Sequence, residues 1–150
     1  MSHLYKVSEV KLSYRTKNTQ SKKIQVLTPA DCYKVLIDNW ERGELEHKES
    51  FKVLLLNQNS IVLGIYNVAE GGISHLQVDT RIILQAALLA NASSIVFAHN
   101  HPSGNTTPSC GDKSITRILQ SAADIMNIKV HDHIIVCKNG YYSFAKHNGL

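Results

Sequence analysis

The chain has 150 residues, of which 43% are hydrophobic and 19% are charged. These values are ordinary for a globular protein and exclude disordered and fibrous classes. A chain of this length fits one domain and buries about 70% of the surface that it exposes when unfolded. Its apolar runs fall short of the ~18 residues of a membrane span, and the N-terminus lacks a signal-peptide core, so we expect a cytoplasmic protein without a membrane partner.

The formal net charge is +4, and five cations lie in one N-terminal stretch: Lys11, Arg15, Lys17, Lys22 and Lys23. Such a segment can bind phosphates electrostatically, which makes nucleic acid one candidate partner. The same pattern is typical of a solvated strand edge, where lysines oppose edge-to-edge pairing. Both interpretations remain open from the sequence.

The three cysteines are Cys32, Cys110 and Cys137, and no two of them form a Cys-x-x-Cys pair. An odd and scattered set indicates reduced thiols rather than a disulfide framework. Cys110 lies within the stretch that carries the candidate metal ligands described below. We expect it to occupy the first turn of a helix rather than to bind a metal.

The first third of the chain predicts a strand and a helix. Residues 7–15 alternate roughly between apolar and polar, which is typical of an edge strand. Thr28 and Pro29 mark the start of a helix that ends near Gly43, with Thr28 as the N-cap. Its expected core-facing positions recur with helical spacing: Tyr33, Leu36, Ile37 and Trp40.

The middle of the chain predicts a hairpin, a helix and a buried strand. Residues 51–56 and 61–66 are apolar runs joined by turn residues 57–60, so we expect a hairpin at the centre of the sheet. Asp79 caps the next helix, which is apolar nearly all round to residue 90 and is expected to lie in the interior. Residues 94–98 are short, apolar and β-branched, as in a buried strand.

The last third predicts a helix over residues 109–126 and two strands. One apolar face of this helix is expected to pack on the core: Ile115, Ile118, Leu119, Ala122 and Met126. Residues 128–136 predict a strand, residues 138–141 a turn, and residues 142–144 a final strand.

The stretch from His99 to Asp112 carries the candidate chemistry. His99 and His101 are separated by one residue at a strand end, so their side chains share a face. Asp112, eleven residues beyond His101 at the entrance to a helix, can return to the same point across a Pro/Gly/Asn-rich loop. Two nitrogen ligands and one oxygen ligand leave a fourth zinc position open, as in catalytic sites. Alternatively, Ser109-x-x-Asp112 is a variant of the helix capping box.

The same residues carry a family resemblance. His-x-His, seven residues and then Ser-x-x-Asp resemble the signature of the JAMM (MPN+/JAB) metalloprotease superfamily. The longer string from His99 to Asp112, H-N-H-P-S-G-N-x-x-P-S-x-x-D, is similar to the RadC branch of that superfamily. Asn100 stands where the eukaryotic deubiquitinating members usually carry Ser or Thr. The resemblance is clear over residues 48–150 and looser before them.

The resemblance implies an α/β (α+β) fold of JAB/MPN type, similar to cytidine deaminase. It has a mixed, mostly antiparallel sheet and about three helices. We expect one domain over residues 1–150, with an N-terminal strand and helix in residues 1–45 and the core in residues 46–150. The resemblance further implies a zinc-dependent hydrolase that cleaves a peptide or isopeptide bond, with zinc held by His99, His101 and Asp112.

A metal-dependent hydrolase needs a general base, and several glutamates precede the histidines: Glu41, Glu44, Glu46, Glu49 and Glu70. Spacing does not choose among them. In RadC relatives the essential glutamate occurs as Glu-x-Phe before an apolar strand, and Glu49-Ser50-Phe51 matches this pattern. Glu70, beside Gly71, is the runner-up. The resemblance also implies that Ser109 donates a hydrogen bond to the oxyanion.

A second His-x-His motif, His131 to His133, competes as a metal site. It lacks the following loop and acid, and strand histidines with apolar neighbours are usually satisfied by hydrogen bonds. RadC relatives carry an Asp-His pair here, so the resemblance implies that Asp132 or His133 can orient a ligand histidine.

Two other functions fit the same sequence. The first is a non-catalytic, metal-binding accessory module in DNA metabolism or mobile-element maintenance, because RadC proteins are associated by name with DNA repair. We find no G-x-G hairpin repeat ahead of the domain, so we expect a short form without the helix-hairpin-helix region of full-length relatives. The second is a zinc-dependent nuclease, although three ligands for one metal favour carbonyl over two-metal phosphodiester chemistry. The sequence identifies neither the substrate nor the oligomeric state.

Overall fold

A computed structural model describes residues 23–41, 43–71 and 78–150. In these ranges the elements, in chain order, are α1 (Pro29–Asp38), β1 (Ser50–Leu56), β2 (Val62–Glu70), α2 (Thr80–Leu89), β3 (Ser94–Asn100), α3 (Cys110–Ile125), β4 (Lys129–Cys137), β5 (Gly140–Ser143) and a 3₁₀ turn (Ala145–His147). None of the helices described there has the length and hydropathy needed to cross a bilayer. The strand predicted over residues 7–15 and the basic residues before Lys23 lie outside these ranges.

The strands form one mixed sheet in the order β2-β1-β3-β4-β5. Only β3 and β4 are parallel, and the other neighbouring pairs are antiparallel. Helix α3 supplies the crossover that a parallel pair requires. The predicted α/β fold, with a mostly antiparallel sheet and three helices, is therefore confirmed.

The two faces of the sheet bury separate apolar clusters because side chains alternate along each strand. One cluster lies beneath α2 and α3 and includes Phe51, Val53, Ile83, Phe97, Leu119 and Ala123. The other lies beneath α1 and includes Leu36, Trp40, Leu54, Val96, Ile134 and Val136. Strands β1 and β3 are buried along their whole length, as expected for strands covered on both faces.

Helix α1 begins as predicted and ends early. The Thr28 hydroxyl accepts a hydrogen bond from the Asp31 N–H, and the Asp31 carboxylate accepts one from the Thr28 N–H. This capping box and the proline at N1 define the start. The helix ends at Asp38, with Asn39 as C-cap, and Gly43 lies in the following turn at φ +89°.

Two predictions about packing are wrong. The β1-β2 hairpin does not lie at the centre, because β3 occupies that place and β2 is the outermost described strand on its side. Helix α2 is not enclosed, because Ile83 faces the sheet while Leu88 and Leu89 are exposed. Its apolar residues surround the whole helix, so composition alone does not show that only one side meets the sheet.

Helix α3 has the predicted bounds, and its buried face agrees with the prediction in part: Leu119 is buried and Ile115 packs against the core. Ser109 is the N-cap and Met126 the C-cap. The buried residues are Thr116, Leu119 and Ala123, whereas the predicted core residue Ile118 is 54% exposed and Met126 is 41% exposed. The buried face includes the polar residue Thr116, which a search for apolar residues at helical spacing does not find.

Candidate metal centre

The candidate ligands converge where β3 ends and α3 begins. His99 is the penultimate residue of β3, and His101 follows the strand directly. Asp112 lies in the first turn of α3, where its carboxylate accepts the Ser109 N–H at 2.7 Å. The capping box that starts the helix therefore also fixes the position of the Asp112 carboxylate.

The ligating atoms of the three side chains lie within 4.8 Å of one another and form a group that can hold a metal ion. The Nε2 atoms of His99 and His101 are 3.0 Å apart, and the Asp112 carboxylate is 3.1 Å from the first and 3.5 Å from the second. Two ligands at ~2.0–2.1 Å from a tetrahedral zinc are ~3.3 Å apart. The donor set and its spacing therefore fit zinc.

His101 presents a lone pair to this group. Its Nδ1 lies 2.6 Å from the backbone oxygen of Asn105. A carbonyl oxygen can only accept, so Nδ1 carries the proton and Nε2 of the neutral ring is unprotonated. The loop after β3 thus orients the ring through its own backbone.

The charges of the group favour a cation. The hydrogen bond with Asp112 raises the pKa of His101, with burial opposing it in part. Burial favours the neutral form of Asp112, but contact with the imidazole groups of His101 and His99 outweighs this and lowers its pKa well below the ordinary value. An ionised carboxylate that faces two imidazole nitrogens is a suitable environment for a metal ion.

Glu49 lies just before β1, whose first residues pair with the end of β3. Phe51 of β1 pairs with His99 of β3 in antiparallel register. Glu49 and His101 each lie two residues beyond this pair, just outside β1 and β3. The Glu49 carboxylate also contributes to the raised pKa of His101, which places its charge near the site.

Asn100 ties the Glu49 segment to the strand between the two histidines. Its side chain is fully buried. The Asn100 amide donates to the backbone oxygens of Leu45 at 2.7 Å and Lys48 at 2.9 Å, and its oxygen accepts the Ser50 N–H at 2.8 Å. The sequence motif contains Asn100 without indicating this contact.

Glu70, the alternative base, is the last residue of β2. Its carboxylate accepts a hydrogen bond from Lys48 at 2.6 Å, and this contact lowers the pKa of Glu70. The side chain is 51% exposed. The ion pair with Lys48 distinguishes it from Glu49, for which the described residues supply no ion-pair partner.

Ser109 is the N-cap of α3. Its hydroxyl oxygen accepts the Asp112 N–H at 3.1 Å. A hydroxyl has one proton to donate besides its acceptor lone pairs, and the cap uses only acceptor capacity. Cys110, one residue later, is exposed and is not a member of the candidate metal group.

The second His-x-His motif is divided by a β-bulge. Ile95 pairs with Val130 and Val96 with Asp132, so His131 is skipped in the β3-β4 register. His131 and Asp132 line a cavity of about 150 Å³ on the α1 side of the sheet. His133 lies on the opposite face, where its ring packs between those of Phe51 and Phe144.

His133 contacts the candidate ligand His99, and Asp132 does not. The His133 Nε2 lies 2.8 Å from Nδ1 of His99, and its Nδ1 lies 2.6 Å from the hydroxyl of Thr116. The Asp132 carboxylate instead accepts hydrogen bonds from the Ser143 hydroxyl and the Ala145 N–H. Thr116 was missed by sequence reasoning, and its only signal is its place one helical turn after Asp112.

The fold and this site together define a JAB-type domain with a candidate His-His-Asp metal centre. The sequence model of the RadC-like JAB domain matches residues 26–150. The chain belongs to the RadC-like JAB domain family.

Its relatives include proteins named UPF0758 in several bacteria. The chain is 39% identical to the one from Salinibacter ruber over 130 residues, and 43% identical to YfjY of Escherichia coli K12 over 103 residues. It is 33% identical to the one from Pasteurella multocida over 150 residues. The alignments cover 85%, 69% and 100% of this chain and 53%, 64% and 61% of these relatives. The chain therefore spans roughly half to two thirds of the relatives' length.

Proposed function

We propose that this chain is a zinc-dependent hydrolase of the JAMM type that cleaves a peptide or isopeptide bond. The observation that carries the proposal is the convergence of His99 Nε2, His101 Nε2 and the Asp112 carboxylate at separations of 3.0–3.5 Å. Three protein ligands leave a tetrahedral ion with one open position, which is the arrangement of catalytic zinc sites.

Zinc held by these three residues would supply Lewis acidity for a substrate carbonyl and would lower the pKa of water from ~15.7 toward ~7. A single trio of ligands is suited to carbonyl chemistry, whereas two-metal phosphodiester cleavage needs a second set. Within the described residues the only candidate group of three or more metal-binding side chains is this one. This favours a peptidase over a nuclease.

Glu49 is the proposed general base. The proposal is supported by the effect of the Glu49 charge on the pKa of His101. In this role the carboxylate would take a proton from water and pass it to the leaving amine. The Asn100 side chain donates two hydrogen bonds to the backbone before Glu49 and accepts one from the N–H of Ser50, and these bonds hold the segment against β3. Glu70 is a poorer candidate because its carboxylate is paired with Lys48.

Ser109 is the proposed donor to the oxyanion. Its hydroxyl proton is not needed for the N-cap, so it can point toward a substrate oxygen while the cap is kept. Removing one such donor typically costs about 10²–10³ in kcat. Ser109→Ala should lower the rate by this factor, and separately weaken the helix cap by about 1 kcal/mol.

The proposal also includes a class of substrate and a cellular location. We propose a peptide or protein substrate and a cytoplasmic location, supported by cysteines that are free rather than disulfide-bonded. Nucleic-acid contact would involve the basic stretch that ends at Lys23.

Metal content is the first test. Protein purified without added metal or a His-tag should contain about one zinc per chain by elemental analysis, and His101→Ala and Asp112→Ala should contain none. Asp124→Asn, an exposed acid of the same helix, is the matched control and should keep the zinc. A wild-type protein that neither contains zinc nor binds it on titration at neutral pH would refute the hydrolase.

Activity against peptide and isopeptide libraries is the second test. Glu49→Gln should keep its zinc and lose about 10²–10⁴-fold in rate, the usual contribution of a general base. Glu46→Gln is the matched control, since this exposed acid pairs with Lys138. Glu70→Gln should also stay active. Zinc binding with no hydrolysis of any substrate would instead favour the accessory module.

A further inference from the structure

A buried chain of hydrogen bonds leads from the backbone of Asp112 to His99. The Thr116 hydroxyl donates to the backbone oxygen of Asp112 at 2.5 Å and lies 2.6 Å from Nδ1 of His133. The His133 Nε2 is in turn 2.8 Å from Nδ1 of His99. Thr116 and His133 are fully buried, so water does not compete for these contacts.

The donor and acceptor in each of these hydrogen bonds follow from the Thr116 hydroxyl. A carbonyl oxygen can only accept, so the Thr116 hydroxyl donates its single proton to the backbone oxygen of Asp112. Thr116 must then accept from His133, which places the His133 proton on Nδ1. The unprotonated Nε2 of His133 must accept from His99, so Nδ1 of His99 carries a proton.

We propose that Thr116 and His133 are positioning residues that keep a proton on Nδ1 of His99 and thereby leave its Nε2 lone pair for the metal. This inference rests on the proposed metal centre. Metal-binding histidines usually donate their second N–H to a carboxylate or a carbonyl. In this site the acceptor is the neutral imidazole of His133, and Thr116 fixes the tautomer of that ring.

The surroundings of His133 suit a neutral acceptor. Its ring lies among the aromatic rings of Phe51, Phe97 and Phe144. The ring is fully buried, and burial disfavours the charged form of an imidazole. The bulge at His131 is what turns His133 to this face, because Val130 and His133 then share it.

The test reads proton positions directly, from the ring ¹⁵N chemical shifts of metal-free protein at about pH 8.5. His133 should be neutral with its proton on Nδ1, and His99 should carry a proton on Nδ1. A His133 proton on Nε2, or an unprotonated Nδ1 of His99, would overturn the proposal. This measurement needs neither zinc nor activity.

Substitutions then test the part played by Thr116. Thr116→Val keeps the shape and removes the acceptor, so the His133 proton should move to Nε2 and zinc affinity should fall about 10- to 100-fold. Thr116→Ser should restore both, and Thr80→Val, in α2, should change neither. Unchanged proton positions in folded Thr116→Val would refute the positioning role of Thr116. If Thr116→Val does not fold, the wild-type and Thr116→Ser spectra still decide the matter.

Different results would refute the proposed function and the proposed positioning role of Thr116 and His133. Wild-type protein with the expected proton positions but no zinc binding would refute the metal centre and support the tautomer assignment. Tight zinc binding with the opposite proton on His133 would refute the positioning role and support the metal centre.

Discussion

The side-chain oxygen of Asn100 accepts the backbone N–H of Ser50 at 2.8 Å, which joins the residue between the two histidines to the residue after Glu49. This contact bridges β1 and β3 at the ends that form the site. The buried side-chain amide of Asn100 therefore connects the backbone next to Glu49, the proposed base, to the segment that carries His99 and His101.

Asn100→Ala should therefore uncouple Glu49 from the metal centre. Each lost hydrogen bond costs about 0.5–1.5 kcal/mol, so we expect a loss of about 2–4 kcal/mol in the free energy of unfolding, measured with urea. Hydrolysis should fall as in Glu49→Gln while zinc is retained. Asn139→Ala, in the exposed turn between β4 and β5, is the control, and an Asn100→Ala protein of wild-type activity would contradict the expectation.

The second His-x-His motif gives a prediction about zinc stoichiometry. His131 lines the α1-side cavity rather than the candidate metal centre. His131→Ala should therefore bind one zinc per chain with wild-type affinity, as followed by competition with a chromogenic chelator. Loss of zinc from this variant would show that the bulge does not separate the two histidines in function.

The stability of the metal-free protein should depend on pH through Asp112 and His101. The lowered pKa of Asp112 gives stability above its ordinary 3.8, which is lost as the pH falls. The raised pKa of His101 gives stability below its ordinary 6.5, which is lost as the pH rises through the raised value. The pair therefore contributes most between pH 3.8 and 6.5.

Urea midpoints of metal-free protein should fall from about pH 5.5 to about pH 8.5, and Asp112→Asn should remove this part of the slope. Added zinc should reverse the trend, because its ligands bind in their deprotonated forms. Asp124→Asn should keep the wild-type profile. A wild-type slope in Asp112→Asn would assign the pH dependence to other groups.

The three thiols should differ in reactivity. Cys110 is exposed, whereas Cys32 and Cys137 are buried. Burial raises the pKa of Cys32 to about 12, so this thiol is protonated and shielded at pH 8. Iodoacetamide should label one thiol in native protein, three in urea and none in native Cys110→Ser. Protection of Cys110 by zinc would contradict its place outside the ligand group.

Neighbouring positions of α3 should respond differently to truncation. Leu119 is 1% exposed in the core beneath α3, and Ile118 is 54% exposed. Leu119→Ala should lower the free energy of unfolding by about 2–5 kcal/mol, as for other buried leucines. Ile118→Ala should lower it by less than about 1 kcal/mol. Similar losses in both variants would mean that the buried stripe is assigned incorrectly.

Much of the fold was predictable because its signals are local. Thr28 and Ser109 cap helices through contacts within three residues, and the bounds of α3 follow from such signals. The apolar runs that form β1 and β3 are visible for the same reason. Helix faces were less predictable, since Thr116 is buried by its contact with His133 and not by hydrophobicity.

The candidate ligands His99, His101 and Asp112 could be identified without a structure, because they lie within one loop and its flanking elements. Their surroundings depend on how distant segments pack together. Ser50, the residue after Glu49, meets Asn100 where β1 pairs with β3. His133 reaches His99 across 34 residues after a bulge reverses the alternation of side chains along β4. Register and bulges depend on pairing between distant segments, and no local pattern of residues contains that information.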